Sequence, residues 1–231
     1  MRILLTVMLM ISFYQPAFAN VVVNGTRIIY HAASRETTVQ LFNNGTSPAL
    51  VQAWIDDGDI NSTPETARVP FLLTPPVVKI AGGSGQQLLI KKLPSTLPAD
   101  RESVFFLNVL DIPPVPENLA GKNTVQLAVR SRIKLFYRPQ ALAGRSDKAI
   151  TQVQIKSAGN GFNISNPSPY FITLANIRDG KQKNLLRDAI MLSPFATQQV
   201  ASATAALPGK SYYLLYVNDL GAYKTQAVTS Q

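Results

Sequence analysis

The chain has no cysteine and a single histidine, His31, among its 231 residues. The first absence removes disulfides, thiol nucleophiles, iron–sulfur clusters and cysteine-ligated zinc. The second removes any metal site built from several histidines. Charge is sparse as well: 15% of residues are Asp, Glu, Lys or Arg against 46% hydrophobic, a globular rather than a disordered balance. Acidic residues are the scarcer sign, 13 against 22 Lys and Arg, so the net charge is +9. Beyond the first residues no apolar run is long enough to span a bilayer. A GxSxG elbow and the GKS/T ending of a phosphate loop are also missing. With these parts absent, neither an enzyme nor a metal or organic cofactor is expected.

What is present begins with an address. Met1-Arg2 precedes an almost continuous apolar run from Ile3 to Phe13, Tyr14-Gln15-Pro16 breaks it, and Ala17-Phe18-Ala19 supplies a small-x-small site. This order predicts a secretory leader over residues 1–19, cut after Ala19. In an exported protein that is neither membrane-embedded nor equipped with a nucleic-acid module, the basic surplus points to an acidic protein or an anionic surface.

After the leader, period-2 alternation recurs in short segments. Strands are expected at Thr26–Tyr30, Thr37–Phe42, Ala49–Ile55, Phe71–Leu73, Val77–Ile80, Leu88–Lys91 and Val104–Leu110. The longest β-like run is Thr124–Tyr137. Gly82-Gly83-Ser84-Gly85 reads as a hairpin loop, and Thr74-Pro75-Pro76 as a bend. Small and polar residues interrupt the alternation from Pro139 to Lys148, and a second set of strands extends to Val217. The fold class is therefore all-β, with two sandwich domains: residues 20–140, then a linker and second domain over 141–231.

Within the long run, Val125, Leu127 and Val129 share one face. Arg130, Arg132, Lys134 and Arg138 then fall among Ile133, Leu135, Phe136 and Tyr137. A lysine between large aliphatics is either solvent-facing or part of an anion site, because burying an unpaired ammonium is costly. Strict alternation puts Lys134 on the opposite face from Val125, Leu127 and Val129. His31, with Ser34 and Glu36 nearby, admits a hydrolase triad, though a surface histidine at a strand end is the ordinary reading.

The segment RSRIKLFYRP, Arg130–Pro139, resembles the signature strand of the periplasmic pilus-assembly chaperones. Gly25–Tyr30, Leu50–Ile55, Leu97–Ser103, Asn166–Tyr170 and Asn218–Ala222 carry the likeness along the rest of the chain. The resemblance implies two immunoglobulin-like β-sandwiches joined at an angle with a cleft between them. It implies a chaperone that lends a strand to incomplete pilus subunits in one-to-one complexes and passes them to an outer-membrane usher. The donor segment would be Thr124–Arg132, with Val125, Leu127 and Val129 filling the subunit groove. Arg27 and Lys134 would anchor the subunit's C-terminal carboxylate, while Glu102, Arg138 and Asp219 would form a charged network between the domains. The short Ile112–Asn123 connection and the lack of cysteine match the family's short-loop branch. The runner-up reading is an exported structural or adhesive immunoglobulin-like pilus component. Self-association of the free protein through its exposed apolar edge is a further expectation.

Overall fold

The computed structural model describes residues 21–114, 126–144, 146–204 and 206–231. The expected leader, Thr124 and Val125 lie outside the described residues. The first sandwich comprises β1 (Val21–Val23), β2 (Arg27–His31), β3 (Thr37–Asn43), β4 (Ala49–Asp56), β5 (Phe71–Thr74), β6 (Val77–Ile80), β7 (Gly85–Lys92), β8 (Ser103–Ile112) and β9 (Val129–Arg138). They form a four-stranded sheet ordered β1-β3-β7-β5 and a five-stranded sheet ordered β2-β9-β8-β4-β6. Alternation explains the layering: Leu41, Val51, Leu88, Ile90, Leu107 and Leu135 are fully buried between the sheets, while their neighbours point outward.

Two short 3-10 segments, Gln140–Leu142 and Ser146–Gln152, lead into the second sandwich. It contains β10 (Gln154–Ala158), β11 (Gly161–Asn166), β12 (Ile172–Arg178), β13 (Ile190–Leu192), β14 (Ala196–Ala201), β15 (Ser211–Val217) and β16 (Tyr223–Thr229). The sheets run β10-β11-β14 and β13-β12-β15-β16. Ile155, Phe162, Ile164, Leu174, Ile177 and Leu214 form its separate core. All-β architecture in two sandwiches is thus the observed fold.

Three strands escape the alternation rule: β1, β14 and β16. β14 and β16 are edge strands exposed along most of their length, so no apolar face marks them. The expected Gly82–Gly85 hairpin is different in kind. It joins β6, in the five-stranded sheet, to β7, in the four-stranded one, and so crosses between sheets. Glycine is required there because a Cβ on Gly82 would sit 2.3 Å from the Thr46 carbonyl oxygen. The long run is also shorter than its sequence suggests. Regular pairing starts at Val129, and Gln126–Ala128 precede the strand.

The pairing of β2 sets the end of the first sandwich apart. Among the described residues every ladder is antiparallel except β2 with β9, which is parallel and aligns Arg27 with Lys134. Upstream of that point β1 leaves to pair with β3. Residues Val129 to Ile133 of β9 therefore have a partner only on the β8 side among the described residues.

Candidate functional site

On β9, Ile133, Leu135 and Tyr137 turn toward the core, and Lys134, Phe136 and Arg138 turn away from it. Pairing with β8 runs without a register break from Val129 to Tyr137. No bulge therefore moves Lys134 onto the face of Val129: it lies on the opposite face, as strict alternation requires. The outward face of β9 meets the second sandwich, where Phe136 packs against Phe171 at 5.7 Å between ring centroids.

Four cations line this outward face, and three are satisfied locally. Arg130 donates to the Ile60 carbonyl and lies over the Trp54 ring. Arg132 pairs with Asp56 and stacks 3.8 Å over Phe106. Burial opposes ionisation of Asp56, but hydrogen bonds from Arg132, Asn108 and the Gly58 amide outweigh it and hold the carboxyl below its usual range. Arg138 is 4% exposed and lies between two carboxylates. Its Nε donates to Glu102 Oε1 at 2.7 Å, and Nη1 and Nη2 form a fork on Asp219 at 2.6 and 3.1 Å. Glu102 spans the same junction from the other side by accepting the Phe171 amide at 2.8 Å. Burial pushes the Glu102 carboxyl up, against the pull of Arg138 and that amide. Burial pulls Arg138 down, yet its bonds to Asp219 and Glu102 leave it above the ordinary arginine value.

Lys134 is the fourth cation, and it has no anionic partner among the described residues. Its register neighbour Arg27 donates through Nη1 to the Val217 carbonyl at 3.1 Å, while its Nε is buried with no acceptor. Neither forms an ion pair among the described residues. Burial lowers the Lys134 pKa and the adjacent guanidinium lowers it further; burial also lowers Arg27, against the more distant charges of Asp219 and Glu102. Two half-buried cations side by side are costly unless an anion joins them. A cavity of about 380 Å³ opens beside Arg27 between the sandwiches; its lining includes Asp147, Asp219 and Lys224 as well as Phe171, Tyr216 and Val217, and Lys134 is not part of it. A carboxylate fits the chemistry of the two cations themselves, as an acceptor for a guanidinium and an ammonium.

The turn that carries Asp219 depends on Gly221. Its φ is +80°, and a Cβ there would meet Thr26 Oγ1 of the first sandwich at 2.3 Å. Gly144 has a similar φ of +74° but open space around it. Gly221→Ala is therefore expected to lower the unfolding midpoint more than Gly144→Ala, which carries only the left-handed cost of about 1–2 kcal/mol. Comparing the two midpoints by calorimetry checks this; equal shifts would mean that the Thr26 contact is slack.

Of the residues expected from sequence, the structure brings Arg27 to Lys134, and Glu102 and Asp219 to Arg138. Leu127 and Val129 are 74% and 46% exposed at the start of β9; Val125 lies outside the described residues. His31 is exposed at the end of β2, and its ring has no hydrogen bond to Ser34 or Glu36 among the described residues. Sequence reasoning missed Ser146, whose hydroxyl accepts from Arg138 at 3.2 Å and donates to Asp219 at 2.7 Å. It also missed the Val217 carbonyl and the Phe171 amide. A linker serine and two backbone groups leave no pattern in a sequence.

Residues 20–143 match the N-terminal domain of PapD, described as a pili and flagellar-assembly chaperone, and residues 148–227 match the PapD C-terminal domain. The chain is 42% identical to the probable fimbrial chaperone YehC of Escherichia coli K12, covering 94% of this chain and 89% of that one. It is 39% identical to the chaperone protein MrkB of Klebsiella pneumoniae, covering 91% of each. Among solved structures, the Pseudomonas aeruginosa CupB2 chaperone superposes with a TM-score of 0.78 at 32% identity, over 91% of this chain and all of that one. The Salmonella enterica SafB chaperone, solved in complex with the SafA pilin, is similar at a TM-score of 0.79 and 25% identity, over 93% and 98% of the chains. Two domain matches in sequence order and these full-length likenesses agree with the sandwich pair and its cleft: the chain belongs to the PapD family of pilus-assembly chaperones.

Proposed function

We propose that this chaperone works in the periplasm, after removal of residues 1–19, by lending the segment Thr124–Arg132 to an incomplete pilus subunit and then delivering it to an outer-membrane usher. Residues 20–140 form the strand-lending domain, and 141–231 the linker and second domain. The observation that carries the reading is the half-open strand β9. Its unpaired edge from Val129 to Ile133 runs directly into the unneutralised Arg27 and Lys134. A subunit strand pairing with that edge ends at two cations suited to its C-terminal carboxylate. The carboxylate fixes a register that a period-2 strand otherwise specifies weakly. Glu102, Arg138 and Asp219 hold the two domains so that the cleft keeps its shape.

The energetics fit a shared task. Burying Val125, Leu127 and Val129 in a subunit groove contributes about 1.5–3 kcal/mol each. Association costs an estimated 4–15 kcal/mol, so main-chain pairing and the carboxylate anchor supply the rest. In the free protein the same edge is open to a second copy, which would cover Leu127 and Val129 until a subunit arrives.

Co-purification from periplasmic extract with a co-expressed pilus subunit tests the reading. Wild type is expected to bring down the subunit. Leu127→Asp/Val129→Asp is expected to recover at least about a hundredfold less, since loss of two buried aliphatics amounts to roughly 3–6 kcal/mol. Leu127 is exposed in the free chain, so Leu127→Asp alone should keep the wild-type unfolding midpoint, and it carries the test if Val129→Asp, set opposite Asp111, lowers it. Undiminished recovery would remove strand lending through these residues.

A further inference from the structure

Arg130 and Arg132 lie within the segment read as the lent strand, and both turn back onto their own sheet. Pairing puts Trp54, Asn108 and Arg132 in one row across β4, β8 and β9, and Asp56, Phe106 and Lys134 in the next row of the same face. Arg132 crosses between the rows, 3.8 Å over the Phe106 ring, and donates through Nε and Nη2 to both oxygens of Asp56. That carboxylate is fully buried and also accepts from Asn108 Nδ2 at 2.6 Å and from the Gly58 amide at 2.7 Å. Asn108 is fully buried as well, yet its Oδ1 has no partner among the described residues. A buried amide oxygen without a donor is costly, and Asn108 bears that cost while it holds Asp56 in place. Two residues earlier Arg130 repeats the arrangement, lying 5.4 Å over the Trp54 ring and donating to the Ile60 carbonyl.

An open edge has need of such a brace. From Val129 to Ile133 the strand bonds only to β8 among the described residues, so backbone pairing holds it from one side. A strand held on one side opens more readily than one paired on both, and ordering it during binding would subtract from affinity. We propose that Asp56 is a positioning residue for strand lending: through Arg132 it keeps the open half of β9 in place before a subunit arrives. The inference rests on the strand-lending reading and adds a residue that does not touch the subunit. Asp56 is fully buried, on β4, with β8 between it and the lent strand. The same bond gives the anchor its selectivity. With Arg132 neutralised by Asp56, an incoming carboxylate meets free cations only at Arg27 and Lys134 along this part of the edge.

Backbone hydrogen exchange on the free protein tests the brace directly. In Asp56→Ala the amides of Val129–Ile133 that bond to β8 are expected to exchange about 10- to 150-fold faster than in wild type, the range for one lost charge-assisted bond. Recovery of a co-expressed pilus subunit should fall at least about threefold, because the share of chaperone with the strand in place scales the apparent affinity. An ion pair that only stabilises the sandwich gives a different pattern. Core amides such as that of Leu107 then accelerate with the lost global stability, while Val129–Ile133 keep the wild-type rate. Asp56→Asn keeps the shape and removes the charge, and it carries the same comparison if Asp56→Ala does not fold. Wild-type exchange at Val129–Ile133, or undiminished subunit recovery, would overturn the positioning role alone. A wild-type chaperone that recovers no subunit would remove strand lending, and the positioning role with it.

Discussion

Arg27→Ala and Lys134→Ala are each expected to lose subunit capture while the chaperone itself stays folded. Each removes a charge-assisted bond to the subunit carboxylate worth about 1.5–3 kcal/mol, a fall in affinity of roughly 10- to 150-fold. The double variant should bring down no measurable subunit. The free protein should respond in the opposite sense to the lysine change. Lys134 is a half-buried ammonium beside a guanidinium with no anion to offset either among the described residues, so Lys134→Met is expected to leave the unfolding midpoint unchanged or to raise it. An anchor that weakens its own free state and gains when occupied is a binding device; a structural lysine would show the reverse. Normal capture by both single variants, or a collapse of both midpoints, would remove the anchor.

The pH dependence comes from the same lowered pKa. Burial and Arg27 place the folded-state value of Lys134 below the ordinary lysine value of 10.5. Between the two values the unfolded chain binds more protons than the folded one, so stability increases with pH across that interval. Below it both states are protonated and the penalty is present in full. Urea midpoints measured from neutral pH into the lysine range near 10.4 should rise more in wild type than in Lys134→Met. Subunit binding should weaken over the same interval, because the neutral amine no longer holds a carboxylate.

The second large effect is expected at Arg138. Removing it leaves Glu102, 3% exposed, without its cation, and breaking a buried pair in this way costs about 3–5 kcal/mol. For a chain of this length that is a drop of roughly 6–20 °C in the unfolding midpoint. Asp219 is 37% exposed in its side chain, so solvent screens it, and Asp219→Ala should cost nearer 1 kcal/mol. The deficit of Arg138→Ala should shrink on acidification, because Glu102, already pushed up by burial, takes a proton and no longer needs a partner. Calorimetry across pH separates these outcomes, and small-angle scattering reports whether the sandwiches still hold one orientation. Equal small losses for Arg138→Ala and Asp219→Ala would mean that the network is only a surface decoration.

Much of this chain is legible from its residues. The alternation of Val39, Leu41, Leu88 and Ile90 arises from burial on one face of a sheet, and such patterns survive without any tertiary information. The edge strands β14 and β16 are not legible, since polarity on both faces erases the period. The Gly82–Gly85 turn reads wrongly as a hairpin because a glycine cluster specifies a sharp turn and not which sheet receives the next strand. Glu102, Arg138 and Asp219 are connected through family likeness alone, because three charges far apart in sequence have no local rule joining them. Ser146, which completes that cluster, is invisible for the same reason.

By itself the sequence determined the all-β class, the two cores and the opposed faces of Lys134 and Val129, because each depends on periodicity along one strand. Only the tertiary structure decided that Arg27 lies beside Lys134, that β9 keeps an open edge above them among the described residues, and that Asp111 reaches Val21. Those three facts arise where β1 and β2 divide between two sheets, and the pairing of distant strands is set by the packing of the whole sandwich rather than by any segment within it.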